Sequence, residues 1–320
     1  MENFRADVAI KFGIGIREGV SAVSLRKDLR KTHTSLWSYI LIRVILVLAG
    51  VLIIYPFYNC LIISVLPYEY ASTLSLYIIP PKLEFVNYQV LLSSRSFQRG
   101  FLVTTTITVL GTLYNLFLTI TMAYALSRKG YYGRTFFINV VVVTMFFSGG
   151  LIPNYLLVKN LGLLDTLASM IIPMGILPFY LILMKTFFGE LPDEIRESAE
   201  MDGANDLLIL GKIILPCAMP IIATVTLFYA VARWNEWFNG MIYLRSPELK
   251  PLQLYLREML ASMDNKRLNQ ETINQLGKQR IYTRSMQMSI VILTTLPILC
   301  VYPFLQKFFV KGIMIGSIKG

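Results

Sequence analysis

Apolar residues in this chain fall in long blocks rather than being spread along it. A helix needs roughly 20 apolar residues to cross the hydrocarbon layer of a bilayer, and inside that layer the backbone must satisfy its own hydrogen bonds. Each block therefore predicts a transmembrane helix. Six blocks qualify, at about Tyr39–Val65, Phe101–Leu126, Thr135–Val158, Thr166–Phe188, Ile213–Phe238 and Ser285–Phe309. Gly149, Gly150 and Pro153 interrupt the third. The expected fold class is an all-α polytopic membrane protein, with an arm over residues 1–37 ahead of a six-helix membrane domain over 38–320.

Composition agrees: 55% of the 320 residues are hydrophobic and 15% charged, against about half and a quarter in soluble domains. The net charge of +11 sits between the apolar blocks, as membrane-flanking lysine and arginine do, which argues against nucleic acid as a partner. The arm carries Arg5, Lys11, Arg17, Arg26, Lys27, Arg30 and Lys31, the link after the second block Arg128, Lys129 and Arg134, and the C-terminal end Lys307, Lys311 and Lys319. An even number of spans then places both termini in the cytoplasm. Two longer loops, 67–100 and 245–284, fall outside, although the second holds eight cations. The first block is too long for a signal-peptide core. Cys60, Cys217 and Cys300 lie within apolar segments and are expected as buried thiols. Their spacing, with His33 the single histidine, predicts no metal site and no Cys–His nucleophile.

One link differs from the rest. Residues 189–216 read GELPDEIRESAEMDGANDLLILGKIILP. Pro192 suits a first helical position, and Asp193 and Glu194 complement the positive helix terminus. Leu191, Ile195 and Ala199 recur at four-residue spacing and form one apolar stripe. Asp202-Gly203 ends the helix, and a second helical run from about Leu207 leads into the fifth span. The product is a short amphipathic helix, a sharp turn and a return helix, presenting Glu194, Glu197, Glu200 and Asp202. An acidic helix suits a groove on another protein better than an anionic membrane surface.

Glu197-Ser198-Ala199, three residues, Gly203, nine residues, then Ile213-x-Leu215-Pro216 resembles the EAA motif of binding-protein-dependent ABC importer permeases, with serine in place of the central alanine. Leu161-Gly162-Leu163 with Asp165-Thr166, and Trp234-Asn235 with Trp237-Phe238, are similar to the carbohydrate-uptake, maltose-permease branch, and within it to the second of two paired permeases. Some members near that subgroup import acidic polysaccharide fragments. The basic arm is less typical of them.

The resemblance implies the type I importer fold in a bacterial cell membrane, a heterodimer with a second permease, two ATPase subunits that hold ATP and magnesium, and an extracellular solute-binding protein. It implies no cofactor and no catalysis on this chain, which has no GxxxxGK[ST] phosphate loop. Ile195, Glu197, Ser198, Ala199, Asp202, Gly203, Leu215 and Pro216 would couple to the ATPase. For a sugar path, Tyr229, Trp234, Asn235, Trp237 and Asn239 offer rings that stack on sugars and amides that bond hydroxyls. An interfacial aromatic belt is one alternative, and a helix-packing or gating role for the Trp-Asn element is another. Arg233 and Glu236 pair or face a water-filled space. Other readings are an importer for a non-sugar solute, a secondary transporter, which the scarcity of charges within the spans disfavours, or a membrane enzyme.

Overall fold

The computed structural model describes residues 36–67, 70, 79–264 and 283–316. The basic arm and the loop stretches 71–78 and 265–282 lie outside the described residues. The chain divides into two units after Tyr58. In the first, the described residues belong to helix α1 (Leu36–Ser64), whose apolar side chains from Ile40 to Phe57 are exposed.

The second unit is built on α3 (Arg95–Ser127), which follows α2 (Val86–Ser93). Its 33 residues at 1.5 Å each make a rod of about 50 Å. Against it pack α7 (Pro178–Gly189) and α11 (Met219–Trp234), with Ala123, Tyr124, Leu181, Met184, Ile221, Val225 and Tyr229 forming the main core. Small residues admit close neighbours: a Cβ on Gly100 would stand 3.3 Å from the Leu252 Cα. The last helix, α14 (Thr283–Gly316), packs on α11, and polar side chains tie it to the end of α1 and to α2. Ser289 donates to the Ser64 carbonyl at 3.0 Å, and Ser285 Oγ to that of Ile63 at 2.8 Å while accepting from Asn87 at 2.7 Å.

Among the described residues, three helices are long and apolar enough to cross a bilayer: Ile40–Ser64, Arg95–Ser127 and Arg284–Val301. The other three expected spans are not straight rods. The third is α4 (Arg134–Phe146) and α5 (Leu151–Asn160), bent by 118° at the Gly149-Gly150 break. The fifth bends by 85° between Asp206–Cys217 and Met219–Trp234, around Ala218 (φ −96°, ψ 9°). Pro216 and Pro220 flank that joint, each lacking a backbone donor. The fourth holds only α6 (Ala168–Ile171) and, after a non-helical stretch at 172–177, the 12 residues of α7. Two cysteines also depart from expectation: Cys217 and Cys300 are exposed, and Cys60 is half-buried.

Candidate functional site

The two ends of α3 define two poles. At its C-terminal end lies α8 (Asp193–Met201). Pro192 is the residue just before the first turn, which begins with Asp193 and Glu194. The helix ends on Gly203 at φ +81°, with Gly203 N–H bonded to the Glu200 carbonyl and Ala204 N–H to that of Ala199, both at 3.0 Å. That paired closure requires a left-handed residue, which glycine supplies without strain. Asn205 then caps the return helix: its Oδ1 accepts from Leu208 N–H at 2.9 Å. The return is α9 (Asp206–Ile209), a wider π turn over Leu210–Ile214, and α10 (Leu215–Cys217).

Of the residues expected to couple, Ile195, Glu197, Ser198, Asp202 and Gly203 face outward, and Pro216 is also exposed. Ala199 is buried, and with half-buried Leu215 it packs into the main core. These two seat the bracket, while the others form its free face. Exposed Met201 and Leu207 add apolar surface beside the carboxylates.

Cations from the α3–α4 link fasten the bracket. Arg128 Nη2 donates to Glu200 at 2.7 Å and Nη1 to Asp206. Lys129 donates to Asp193 at 2.9 Å, and that hydrogen bond holds the Asp193 carboxyl below its ordinary range. Within α8, Arg196 lies 3.3 Å from Glu200. Arg128, Lys129, Asn205 and Asp206 were not singled out from the sequence for this site. The available signal was a basic link facing an acidic helix, and only the tertiary fold shows which charges meet.

At the other pole stand α12 (Phe238–Tyr243), a 3-10 turn at Pro247–Leu249, and α13 (Leu252–Asp264). Asp165 takes a left-handed φ of 58°, and its carboxylate accepts from Arg245 N–H and Ser246 N–H, each at 2.8 Å, and from Ser246 Oγ at 2.6 Å. The side-chain bond from Ser246 and then the two backbone bonds hold its pKa down. This lock gives the Asp165-Thr166 signature a physical role.

The expected sugar-path residues divide. Tyr229 and Trp234 are buried and spent on packing: Tyr229 Oη meets Thr119 Oγ1 at 2.8 Å, and Trp234 Nε1 donates to the Thr294 carbonyl at 3.0 Å. Asn235 is exposed and bonds its own helix at the Val231 carbonyl. Trp237 lies under the Arg257 guanidinium, 3.5 Å from the ring centroid. Asn239 donates through its backbone to Glu236 and through Nδ2 to Met174 Sδ, each at 3.0 Å. Arg233 and Glu236 meet through the backbone, Glu236 N–H bonding the Arg233 carbonyl at 3.3 Å, while the guanidinium bonds Asn115 and backbone carbonyls rather than the Glu236 carboxylate. Among the described residues no cluster of His, Cys, Asp or Glu has the geometry to hold a metal ion.

No family model matches the chain. It is 43% identical over 246 residues to protein LplC of Bacillus subtilis (strain 168), covering 77% of this chain and 82% of that one. It is 37% identical over 276 residues to the polygalacturonan/rhamnogalacturonan transport system permease protein YtcP of the same organism, covering 86% and 96%. Among solved structures, a chain of a bacterial ABC transporter involved in the import of the acidic polysaccharide alginate matches with a TM-score of 0.79 at 31% identity, covering 84% of this chain and 95% of that one. Fold, helical membrane character and relatives agree, and the chain belongs to the permeases of ATP-binding-cassette importers.

Proposed function

We propose that this chain is one permease of a heterodimeric importer for an acidic oligosaccharide, and that α8 is the element a separate ATPase grips. The observation that carries the reading is the bracket itself: a helix closed by Gly203, seated by Ala199, tied down by Arg128 and Lys129, and carrying a free face of carboxylates and apolar side chains. Such a face fits a groove on a protein. The pole that holds it also holds Arg128, Lys129 and Arg134, which supports a cytoplasmic location under the positive-inside rule. ATP and magnesium then belong to the ATPase partners, and an extracellular solute-binding protein delivers cargo to the opposite pole. An acidic cargo is supported by the polygalacturonan/rhamnogalacturonan and alginate substrates named for the relatives and by Arg245 and Arg257 at that pole.

An Ile195→Cys variant, with Cys60, Cys217 and Cys300 replaced by alanine, is expected to cross-link to the ATPase in the assembled complex. Gly203→Val adds a side chain with nothing within 4 Å, so its effect is on the backbone turn: a β-branched residue in the left-handed region is strained by about 1–2 kcal/mol. Uptake is expected to fall to background while the chain still inserts. Labelling of the introduced thiol from outside the cell, or full uptake by the valine variant, would defeat the reading.

A further inference from the structure

The fourth span breaks where the chain reads Ile172-Pro173-Met174-Gly175-Ile176-Leu177-Pro178, and side chains of two other helices meet the backbone groups freed there. Arg233 on α11 is 4% exposed. Its Nε and Nη2 donate to Asn115 Oδ1 at 3.1 and 2.8 Å. Nη2 also reaches the carbonyls of Ile171 and Met174, each at 3.0 Å, and Nη1 donates to that of Met170. Asn115 Nδ2 donates to the Met174 carbonyl and, at 2.8 Å, to that of Gly175. One turn back on α11, Tyr229 Oη accepts from Leu177 N–H at 3.2 Å.

The packing makes room for this arrangement. A Cβ on Gly111 would stand 3.0 Å from Arg233 Nε, and one on Gly175 would stand 2.9 Å from Leu118 Cδ1. Gly111 is the midpoint of α3, so the guanidinium sits beside the middle of that 33-residue rod. A cation buried at that depth is costly, and charged groups inside spans mark working parts of transporters. Each of these guanidinium contacts ends on a neutral oxygen, so the charge faces carbonyls that a continuous helix would have satisfied itself. Irregular backbone at membrane depth requires such substitutes.

We propose that Arg233 is a positioning residue for transport. With Asn115 it replaces the helical hydrogen bonds given up at residues 170–175, and so holds the fourth span as two segments meeting at a polar joint on which α7 turns during alternating access. The inference rests on the importer reading. It also requires arginine rather than any cation, because one ammonium group cannot match a planar fork serving several spaced acceptors.

The test uses the complete transporter in lipid vesicles, with its ATPases and loaded binding protein. For Arg233→Lys, the maximal uptake rate per assembled complex is expected to fall about tenfold while KM for the loaded binding protein stays within about twofold. Asn115→Asp keeps the acceptor for Arg233, strips both donors from the joint, and is expected to act in the same direction. A lysine variant that assembles less but transports at the wild-type rate per complex overturns the proposal, as does a raised KM at unchanged maximal rate. If neither variant assembles, amide exchange in the wild-type complex decides. Faster exchange at Met174, Gly175 and Ile176 than in α7, changing between nucleotide-free and vanadate-trapped states, supports the joint. Uniform slow exchange in both states overturns it. A wild-type complex that moves no sugar defeats the importer reading instead.

Discussion

Asp165 takes a backbone conformation that L residues avoid, and its side chain accounts for why. Three donors from Arg245 and Ser246 converge on its carboxylate, holding the 161–166 loop against the segment after α12. Asparagine tolerates the left-handed region and keeps a carbonyl for the two N–H groups but loses the charge; alanine keeps neither. Amide exchange at Arg245 and Ser246, corrected for intrinsic rates, is expected to rise modestly in Asp165→Asn and severalfold in Asp165→Ala. Because the folded pKa is lowered, the lock is complete at neutral pH. It is lost only as pH falls through that lowered value, so no loosening is expected between about pH 7 and about pH 5.

At the scale of the element, the bracket shows how far local chemistry reaches. The acidic first turn and the glycine stop of α8 follow from neighbours in sequence, and both were legible there. The latch was not, because Arg128 lies 72 residues from Glu200 and 78 from Asp206, and sequence carries no distance between them. The break in the fourth span was missed for a different reason. Pro173, Gly175 and Pro178 signal it, but the apolar content of the block outweighed them. Asn205→Ala removes one cap bond and is expected to loosen the return helix by about 1 kcal/mol, read as faster exchange at Leu208. Arg128→Gln removes the cation that ties Glu200 and Asp206 to the end of α3. The expected result is a complex that assembles but hydrolyses severalfold more ATP per sugar moved.

For the whole molecule, hydropathy located the apolar blocks but not their shapes. Burial inside lipid makes a block apolar whether it is straight, bent by 118° or broken, so hydropathy gives no angle for the joint that Gly149, Gly150 and Pro153 mark in the third block or for the one beside Pro216 and Pro220 in the fifth. The candidate site divided in a similar way: the bracket is marked by its motif, whereas for Tyr229 and Trp234 sequence left cargo contact, an aromatic belt and helix packing open, and the fold uses both side chains in packing. Charge acts over the longest range. If the cations of the second pole draw acidic cargo in, uptake of a uronate-containing oligosaccharide falls more than that of a neutral one between about 0.02 and about 0.15 M salt, as the Debye length contracts to about 8 Å. Equal responses would remove steering of the cargo from the account.

The seating of Leu252 against Gly100 ties α13 to the front of α3, with Leu252 N–H bonded to Thr104 Oγ1 at 2.7 Å, while Arg128 follows directly on the rear. A stiff shaft of about 50 Å, held at one end, swings its far tip by about 0.9 Å for each degree of tilt. If a motor grips the acidic bracket as proposed, its tug reaches the opposite pole along this one shaft, with no need for intermediate relays.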